Sequence, residues 1–366
     1  MLRDAALADL ERLVALEQRC FALDRISRRS FRHLLTKAHA FTLVAEQEGR
    51  LLGYGLVLQH RTTAAARLYS FAVDPAARRQ GLGRRLLEAL EAKARAAGAA
   101  ELRLEVRPDN QAAIASYTAA GYRAFGTYED FYEDHADAVR MEKRLAGGKV
   151  ARLTRVPYYA QTLPFTCGAA SLLMAMKALS PNAQVLERRR ELRLWREATL
   201  IYMTSGHGGC DPFGLALAAH RRGFAAEVYV TDEERTFVDS VRDPTKKDVI
   251  RLVLQDFRAQ AREAKIPVHR RGLGVADATA HLKAGRIPIV LVSSYALTGE
   301  KAPHWVVLTG FDEQFLYFHD PDPTESDERS KLDCVNVPVP HAAFERMARY
   351  GVTRLKAAVV LGPHKG

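Results

Sequence analysis

Two groups of residues in this chain have the types and spacing to do chemistry. The first is the run Arg78-Arg79-Gln80-Gly81-Leu82-Gly83-Arg84-Arg85. It follows a strand-like apolar stretch at 68–73 and opens a helix-like stretch at 82–97. Glycines let a backbone approach a phosphate closely, and the free amides and dipole of a helix N-terminus then hold the negative charge. Four arginines, Arg78, Arg79, Arg84 and Arg85, add cations at the same point. No Lys-Ser/Thr pair follows the second glycine, which excludes a P-loop, and the third glycine of a dinucleotide fingerprint is missing. The competing reading is a glycine turn beside a solvated, arginine-rich face.

The second group is Gln161, Cys167, His304 and Asp320. Cys167 precedes Gly168-Ala169-Ala170 and an apolar helical run. A cysteine at a helix N-terminus has its thiolate favoured by the dipole and by unpaired amides. Gln161, six residues upstream, is placed to present its side-chain amide beside the cysteine's own amide as an oxyanion hole. Cysteine hydrolases also need a histidine and an orienting acid or amide, distant in sequence. His304 opens a strand-like run, and Asp320 ends the next one. Each also has a bland reading: a small buried thiol, a strand-end histidine, a turn-forming aspartate before proline. His319 competes for the histidine role, but strand alternation should turn it away from the Asp320 side. A third cluster, at 205–214, contains His207, Cys210 and Asp211. With no matching ligand pair elsewhere, it reads as a glycine-rich loop entering a helix at Pro212, and no metal is expected.

These groups need elements to hold them. The first 145 residues alternate in the α/β manner. Helices are expected at 7–20, 28–37, 82–97 and 111–120. Strands are expected at 40–46, 51–59, 67–73, 101–106, 123–132 and 138–144, with a hairpin turn at 48–50. Gly147-Gly148 breaks the pattern, so we expect domains at 1–146 and 150–366. The second part begins with a strand at 151–157. Helices follow at 168–179, 213–222, 248–263 and 276–284, then strands at 287–293, 305–311, 315–319 and 354–360. Helices before strands is an α+β order. The stretch 320–330 reads as a loop.

Composition excludes several classes. With 366 residues, 48% of them hydrophobic, the chain can fold on its core alone. Cys20, Cys167, Cys210 and Cys334 form no CxxC pair, so neither a disulfide framework nor a structural zinc site is expected. No apolar run reaches the length of a membrane span, and the N-terminus lacks the apolar region of a signal peptide, so a cytoplasmic protein is expected. The net charge of +11 favours phosphate-bearing partners or a ribosome-like surface. It is dispersed, so no dedicated nucleic-acid arm is expected.

The strand–loop–helix at 68–97 resembles the R/Q-x-x-G-x-G/A segment of the GNAT acetyltransferases, with Arg78, Gly81 and Gly83 at the motif positions. The likeness continues through LRLEVR at 102–107, Asn110, Ala113–Tyr117, Gly121-Tyr122 and the tail at 128–145. That tail is similar to the end of the ribosomal-protein-alanine and archaeal N-alpha-acetyltransferases. The resemblance implies an α/β fold, a mixed sheet flanked by helices, and acetyl-CoA as cofactor. Arg78, Arg79, Gln80, Gly81, Leu82, Gly83 and Arg84 would hold its pyrophosphate. The amides of Phe71 and Val73 would polarise the acetyl carbonyl. Glu105 would be the base, acting through water, with pairing to an arginine as its alternative role. Tyr117 would be the acid, with a core aromatic as the alternative. Asn110 would contact the cofactor or cap the next helix. The acceptor would be the amine of a peptide, a protein N-terminus or a small molecule.

The second half resembles the papain-like cysteine peptidases, and among them those that remove double-glycine leaders from bacteriocin precursors, with the pattern Gln…CysGly…His…AspPro. Gln161, Cys167, His304 and Asp320 carry that pattern. The chain departs from it where Phe165-Thr166 stands in place of the usual acidic residue before the cysteine. The implied whole is a bifunctional enzyme. Its alternative is an acetyltransferase with a non-catalytic peptide-binding second domain.

Overall fold

A computed structural model of the chain describes residues 1–59, 62–147, 152–182, 186–200, 202–203, 206–233, 237–238, 243–298, 302–323 and 331–364. The chain divides into two compact units, Met1–Gly147 and Gly148–Gly366.

The first unit runs β1 (Leu2–Asp4), α1 (Leu10–Cys20), α2 (Arg28–Thr36), β2 (Ala40–Gln47), β3 (Arg50–Gln59), β4 (Ala65–Val73), α3 (Leu82–Ala96), β5 (Glu101–Val106), α4 (Gln111–Ala119), β6 (Arg123–Tyr128) and β7 (Ala138–Arg144). Its seven-stranded sheet has the order β1-β2-β3-β4-β5-β7-β6. Among the described residues of this sheet, only β4 and β5 pair in parallel. Glu48 and Gly49, both at positive φ, make the tight β2–β3 turn. Leu10, Leu13, Leu16, Phe31 and Leu34 of α1 and α2 pack with Tyr54, Leu56 and Ala72 on one face of the sheet. Leu86, Leu87, Leu90 and Ala94 of α3 pack with Leu68, Leu102 and Leu104 on the other. The strand expected to reach residue 132 stops at Tyr128, and Asp130 takes a positive φ.

One feature of this sheet makes room for chemistry. β4 pairs with β5 only from Ala65 to Leu68, opposite Glu101 to Leu104, although both strands continue. On its other edge β4 shifts register against β3, since Leu56 faces Ser70 while Val57 faces Leu68. Tyr69 is therefore an extra residue, a β-bulge that bends the strand. Beyond it, β4 and β5 are no longer paired and a gap opens between them.

The second unit contains β8 (Arg152–Leu153), α5 (Cys167–Leu179), α6 (Arg188–Ala198), β9 (Tyr202–Met203), β10 (Gly206–His207), α7 (Pro212–His220), β11 (Phe224–Val230), α8 (Pro244–Glu263), β12 (Val268–His269), α9 (Val275–Lys283), β13 (Ile287–Ser293), α10 (Tyr295–Thr298), β14 (Pro303–Phe311), β15 (Phe315–His319), β16 (Val337–Pro340), α11 (His341–Met347) and β17 (Ala357–His364). The sheet order is β12-β11-β17-β13-β14-β15-β16, with β8 added on β14. α5, α6, α7 and α8 cover one face and α9 and α11 the other. Three expectations need correction. The strand at 151–157 is only the two residues of β8. The final strand is shifted to Ala357–His364. β11 interrupts the helical half and pairs with β17, so the order is not simply helices and then strands.

Close helix packing in this unit depends on Gly214. A Cβ there would lie 2.7 Å from Ala198 Cα and 2.8 Å from Ala198 O, both backbone atoms of α6. Backbone cannot turn aside as a side chain can, so Gly214→Ala must push α7 away from α6. We expect a loss of about 1–3 kcal/mol, the usual cost of overpacking. Both tryptophans of the chain, Trp195 and Trp305, lie in this unit. Urea denaturation followed by their fluorescence measures the loss.

Candidate functional sites

In the first unit, the loop after β4 delivers the helix end that the sequence suggests. Gly81 takes φ +76° and caps α3, a conformation other residues adopt at a cost. The first helical bond runs from Arg85 N to Gly81 O at 3.2 Å, so the preceding amides of α3 have no partner within the helix. Gly83 lies 3.5–3.9 Å, measured from an added Cβ, from Val73 and Phe71, which places the helix end against the tip of β4. Arg78 Nε donates to Val73 O at 3.1 Å, while Arg84 pairs with Glu88 at 2.8 Å on the surface. Gln80 Nε2 donates to Ala76 O at 3.3 Å.

The strand tip adds further donors. Asp74 N donates to Leu52 O on the β3 side. Amides alternate sides along a strand, so those of Phe71 and Val73 face the opposite edge, into the gap. Unpaired amides, an open glycine end and arginines together fit a pyrophosphate carried on a long thioester arm. Tyr117 approaches from α4, with its ring 6.4 Å from that of Phe71 and 5.6 Å from that of Tyr122. Burial pushes its phenol well up, so it carries a proton at neutral pH. Asn110 takes the capping role: its side chain accepts from Ala113 N at 3.1 Å.

Glu105 sits at the rim of the same gap with its side chain 5% exposed. Oε2 accepts from Arg67 Nε at 2.7 Å and Oε1 from Arg140 Nε at 2.8 Å. The arginine pairing that the sequence left as an alternative is therefore present on both oxygens. A water that reaches this carboxylate must share an oxygen with a guanidinium.

In the second unit, Cys167 is the first residue of α5 and is 6% exposed. His304 Nε2 bonds Asp320 Oδ1 at 2.7 Å, with both residues buried. The Cys167 side chain lies close enough to the His304 ring to help raise its pKa. Because Nε2 serves Asp320, Nδ1 is the nitrogen left for the thiol. Burial alone would lower the His304 pKa, but the charge and hydrogen bond of Asp320, with Cys167, raise it well above its ordinary value. Gln161 is tied to the same place, since its backbone N donates to Pro321 O at 2.7 Å. His319 is occupied elsewhere, bonding Val156 O at 2.8 Å and Asn336 N at 3.0 Å. Burial lowers its pKa to about 4, so it stays neutral. A cavity of about 260 Å³ lined by Arg155, Tyr158, His319 and Asn336 lies on that side and includes no residue of the Cys167 group.

Cys210 lies against the same helix end. A Cβ on Gly168 would meet Cys210 Cβ at 2.8 Å and Trp305 Cδ1 at 3.0 Å, so only glycine fits after the cysteine. Burial pushes the Cys210 thiol well up. Asp211 caps α7 through Phe213 N at 2.8 Å, and burial raises its pKa to about 7. Ser205 and the side chain of His207 lie outside the described residues. Among the described residues, no three His, Cys, Asp or Glu side chains cluster as metal ligands, and no helix is long and apolar enough to cross a membrane.

Sequence reasoning missed Glu191. Fully buried on α6, it accepts from Tyr159 OH at 3.0 Å, Thr162 N at 2.8 Å, Thr162 Oγ1 at 2.7 Å and Thr166 Oγ1 at 2.5 Å. The four donors belong to Tyr159, Thr162 and Thr166, in the stretch that leads into Cys167. Thr166, directly before Cys167, is thus bonded to an acid carried by another helix.

Two family models match separate stretches of the chain. Residues 9–122 match the acetyltransferase (GNAT) family, and residues 156–362 match the Peptidase_C39 like family. The ribosomal protein bS18 alanine N-acetyltransferase of Escherichia coli (strain K12) is 36% identical, over 30% of this chain and 85% of its own length. N-alpha-acetyltransferase RimI of Mycobacterium tuberculosis is 34% identical, over 37% and 87%. A crystal structure of the Escherichia coli ribosomal-protein-S18-alanine N-acetyltransferase aligns at 29% identity with a TM-score of 0.38, covering 42% of this chain and 97% of that one. The chain belongs to the GNAT acetyltransferase family through its first unit and to the Peptidase_C39 like family through its second. It is an N-acetyltransferase, and acetyl-CoA is its acetyl donor.

The His304–Asp320 pair gives a pH-dependent prediction. The folded pKa of His304 is raised, so the pair's stabilisation is complete below the unfolded value, about 6.5, and fades as pH rises through the folded value. Asp320→Asn removes the charge that opposes burial. Its His304 ring should titrate below the ordinary histidine value, and its stability deficit should be largest below about pH 6.5 and shrink above it. NMR titration of the imidazole and denaturation at several pH values measure both.

Proposed function

We propose that this chain joins two activities: acetyl transfer to the amine of a peptide, protein N-terminus or small molecule, and hydrolysis of a peptide or amide bond by Cys167, His304 and Asp320. The acceptor class is supported by the names of the relatives, one of which is an alanine N-acetyltransferase of a ribosomal protein. In the first unit, Arg78 to Arg84 and the α3 amides would hold the pyrophosphate. The amides of Phe71 and Val73 would polarise the thioester carbonyl. Glu105, through a water and with its carboxylate fixed by Arg67 and Arg140, would take the ammonium proton. Tyr117, kept protonated by burial, would supply the proton for the departing thiolate.

The observation that carries the second activity is the buried His304–Asp320 bond beside Cys167 at the start of α5. The Cys167 thiol would pass its proton to His304 Nδ1 and attack the carbonyl carbon. The Cys167 amide and Gln161 would hold the oxyanion. The leaving amine would take the proton from His304, and water would then hydrolyse the thioester. Asp320 would orient the ring and stabilise its charged form. A module that only bound peptides would need none of these three to be buried together.

Two measurements test the two halves. Tyr117→Phe should lower acetyl turnover by roughly 10²–10⁴-fold, the usual contribution of a general acid, with coenzyme A affinity by calorimetry unchanged. Limiting iodoacetamide near pH 6, where an ordinary thiol is almost wholly protonated, should label Cys167 before Cys20, Cys210 and Cys334, and His304→Ala should erase that preference. Peptide mapping decides it: equal labelling, or labelling of Cys210 first, sinks the hydrolase.

A further inference from the structure

Acetylating an ammonium removes two protons from one nitrogen, and only one candidate acceptor has been named. Glu105 is also held by two guanidiniums. On the α1–α2 face of the sheet, a second buried carboxyl lies behind β4. Glu17 of α1 is 2% exposed, and it accepts from Ile26 N at 2.9 Å and from the Tyr54 hydroxyl. Tyr54 is fully buried, and its oxygen lies 2.6 Å from Ser70 Oγ. Ser70 is only partly buried and follows the Tyr69 bulge, where β4 has left β5.

The hydrogen positions follow from valence. Tyr54 has one hydroxyl proton and gives it to Glu17. Ser70 must therefore donate to Tyr54. The Ser70 lone pairs are then left to accept from whatever enters the gap. Phe71, the next residue, packs with the α3–α4 layer on the other face. The thioester side and the Glu17 side are thus separated by β4 itself, with Ser70 at the break.

We propose that Ser70, Tyr54 and Glu17 form a proton relay that carries one of the two nitrogen protons away from the acceptor during acetyl transfer. As the nitrogen–carbon bond forms and the carbon–sulfur bond breaks, the nitrogen gives a proton to Ser70 Oγ. Ser70 passes its own proton to Tyr54, and Tyr54 passes its proton to the Glu17 carboxylate. Between turnovers the proton returns along the same chain, from Glu17 through Tyr54 and Ser70, to solvent in the gap. The other nitrogen proton leaves through Glu105, and Tyr117 protonates the sulfur and is reprotonated from solvent. The net release is one proton per acetyl group. Ser70 alone touches the substrate; Tyr54 and Glu17 act through it. Burial raises the Glu17 pKa against the opposing bonds from Tyr54 and Ile26 and the charge of Arg25, which suits a group that must accept a proton.

The relay rests on the acetyl transfer assigned above and not on the hydrolase. The test measures transfer from acetyl-CoA to a short peptide with an N-terminal alanine. Ser70→Ala should lower kcat by about 10²-fold, with KM for acetyl-CoA unchanged. Tyr54→Phe, which keeps the ring, should do the same, and the double variant should be no slower than either, because both break one chain. Rate against deuterium fraction in the solvent should be bowed for the wild type and clearly less bowed for Ser70→Ala, where the relay protons no longer move and those of Glu105 and Tyr117 remain, and Ser70→Thr should restore the rate. An active wild type with Ser70→Ala within about twofold, or with losses that multiply in the double variant, overturns the relay alone. A wild type that binds acetyl-CoA and leaves the peptide amine untouched overturns the acceptor class instead.

Discussion

The first amides of a helix have no partner inside it, and both sites in this chain are built on that deficit. At α3 the chain enters through Gly81 in a left-handed turn, which leaves the amides at 82–84 facing outward beside exposed arginines. At α5 it enters through Thr166, whose side chain is turned to Glu191 rather than to the helix, so no side-chain cap covers the amides at Cys167. An ordinary helix start would be closed by a serine or aspartate, as α2 is by Ser27 and α8 by Asp243. α3 and α5 lack such a cap, as α1, α6 and α11 also do, and at α3 and α5 the open helix end lies at a candidate site.

Each sheet then supplies what a helix end cannot. In the first unit the bulge at Tyr69 ends the pairing of β4 with β5, and this single irregularity exposes strand amides on one edge and the Ser70 hydroxyl on one face. In the second, the antiparallel register that sets Val307 opposite His319 puts the start of β14 beside the end of β15. That brings His304 and Asp320, sixteen residues apart, into one hydrogen bond.

What the sequence made legible was local. The glycine loop, the cap at Asn110 and the cysteine at a helix start are each defined within a few residues by backbone geometry. What stayed hidden depends on residues far apart in the chain. Arg67 and Arg140 meet Glu105 across separations of 38 and 35 residues, and nothing near Glu105 announces them. α6 escaped because its sequence, RRRELRLWREA, is mostly charge, and its buried side is only Glu191, Leu194, Trp195 and Ala198. The same helix carries the acid that secures the Cys167 loop, so missing the helix meant missing its function. β11 was hidden between helical stretches, and its place is decided by β17, more than a hundred residues later.

The chain's buried carboxyls show how partners decide a role. Glu191 is satisfied by two threonine hydroxyls, a tyrosine hydroxyl and an amide, none of which titrates near neutral pH or leads on to an open site. Its contribution is position: losing any one donor would leave a buried carboxyl underbonded, so the stretch from Tyr159 to Thr166 is held at four points. Asp320 bonds an imidazole, which does titrate, and so its charge governs a proton on His304. Glu17 lies between these cases. Its amide donor is inert, but its phenol donor continues to a hydroxyl at the edge of a gap. A carboxyl enclosed by inert donors is scaffolding, whereas one whose donors lead outward has a path for a proton, and the path from Glu17 ends where the sheet opens.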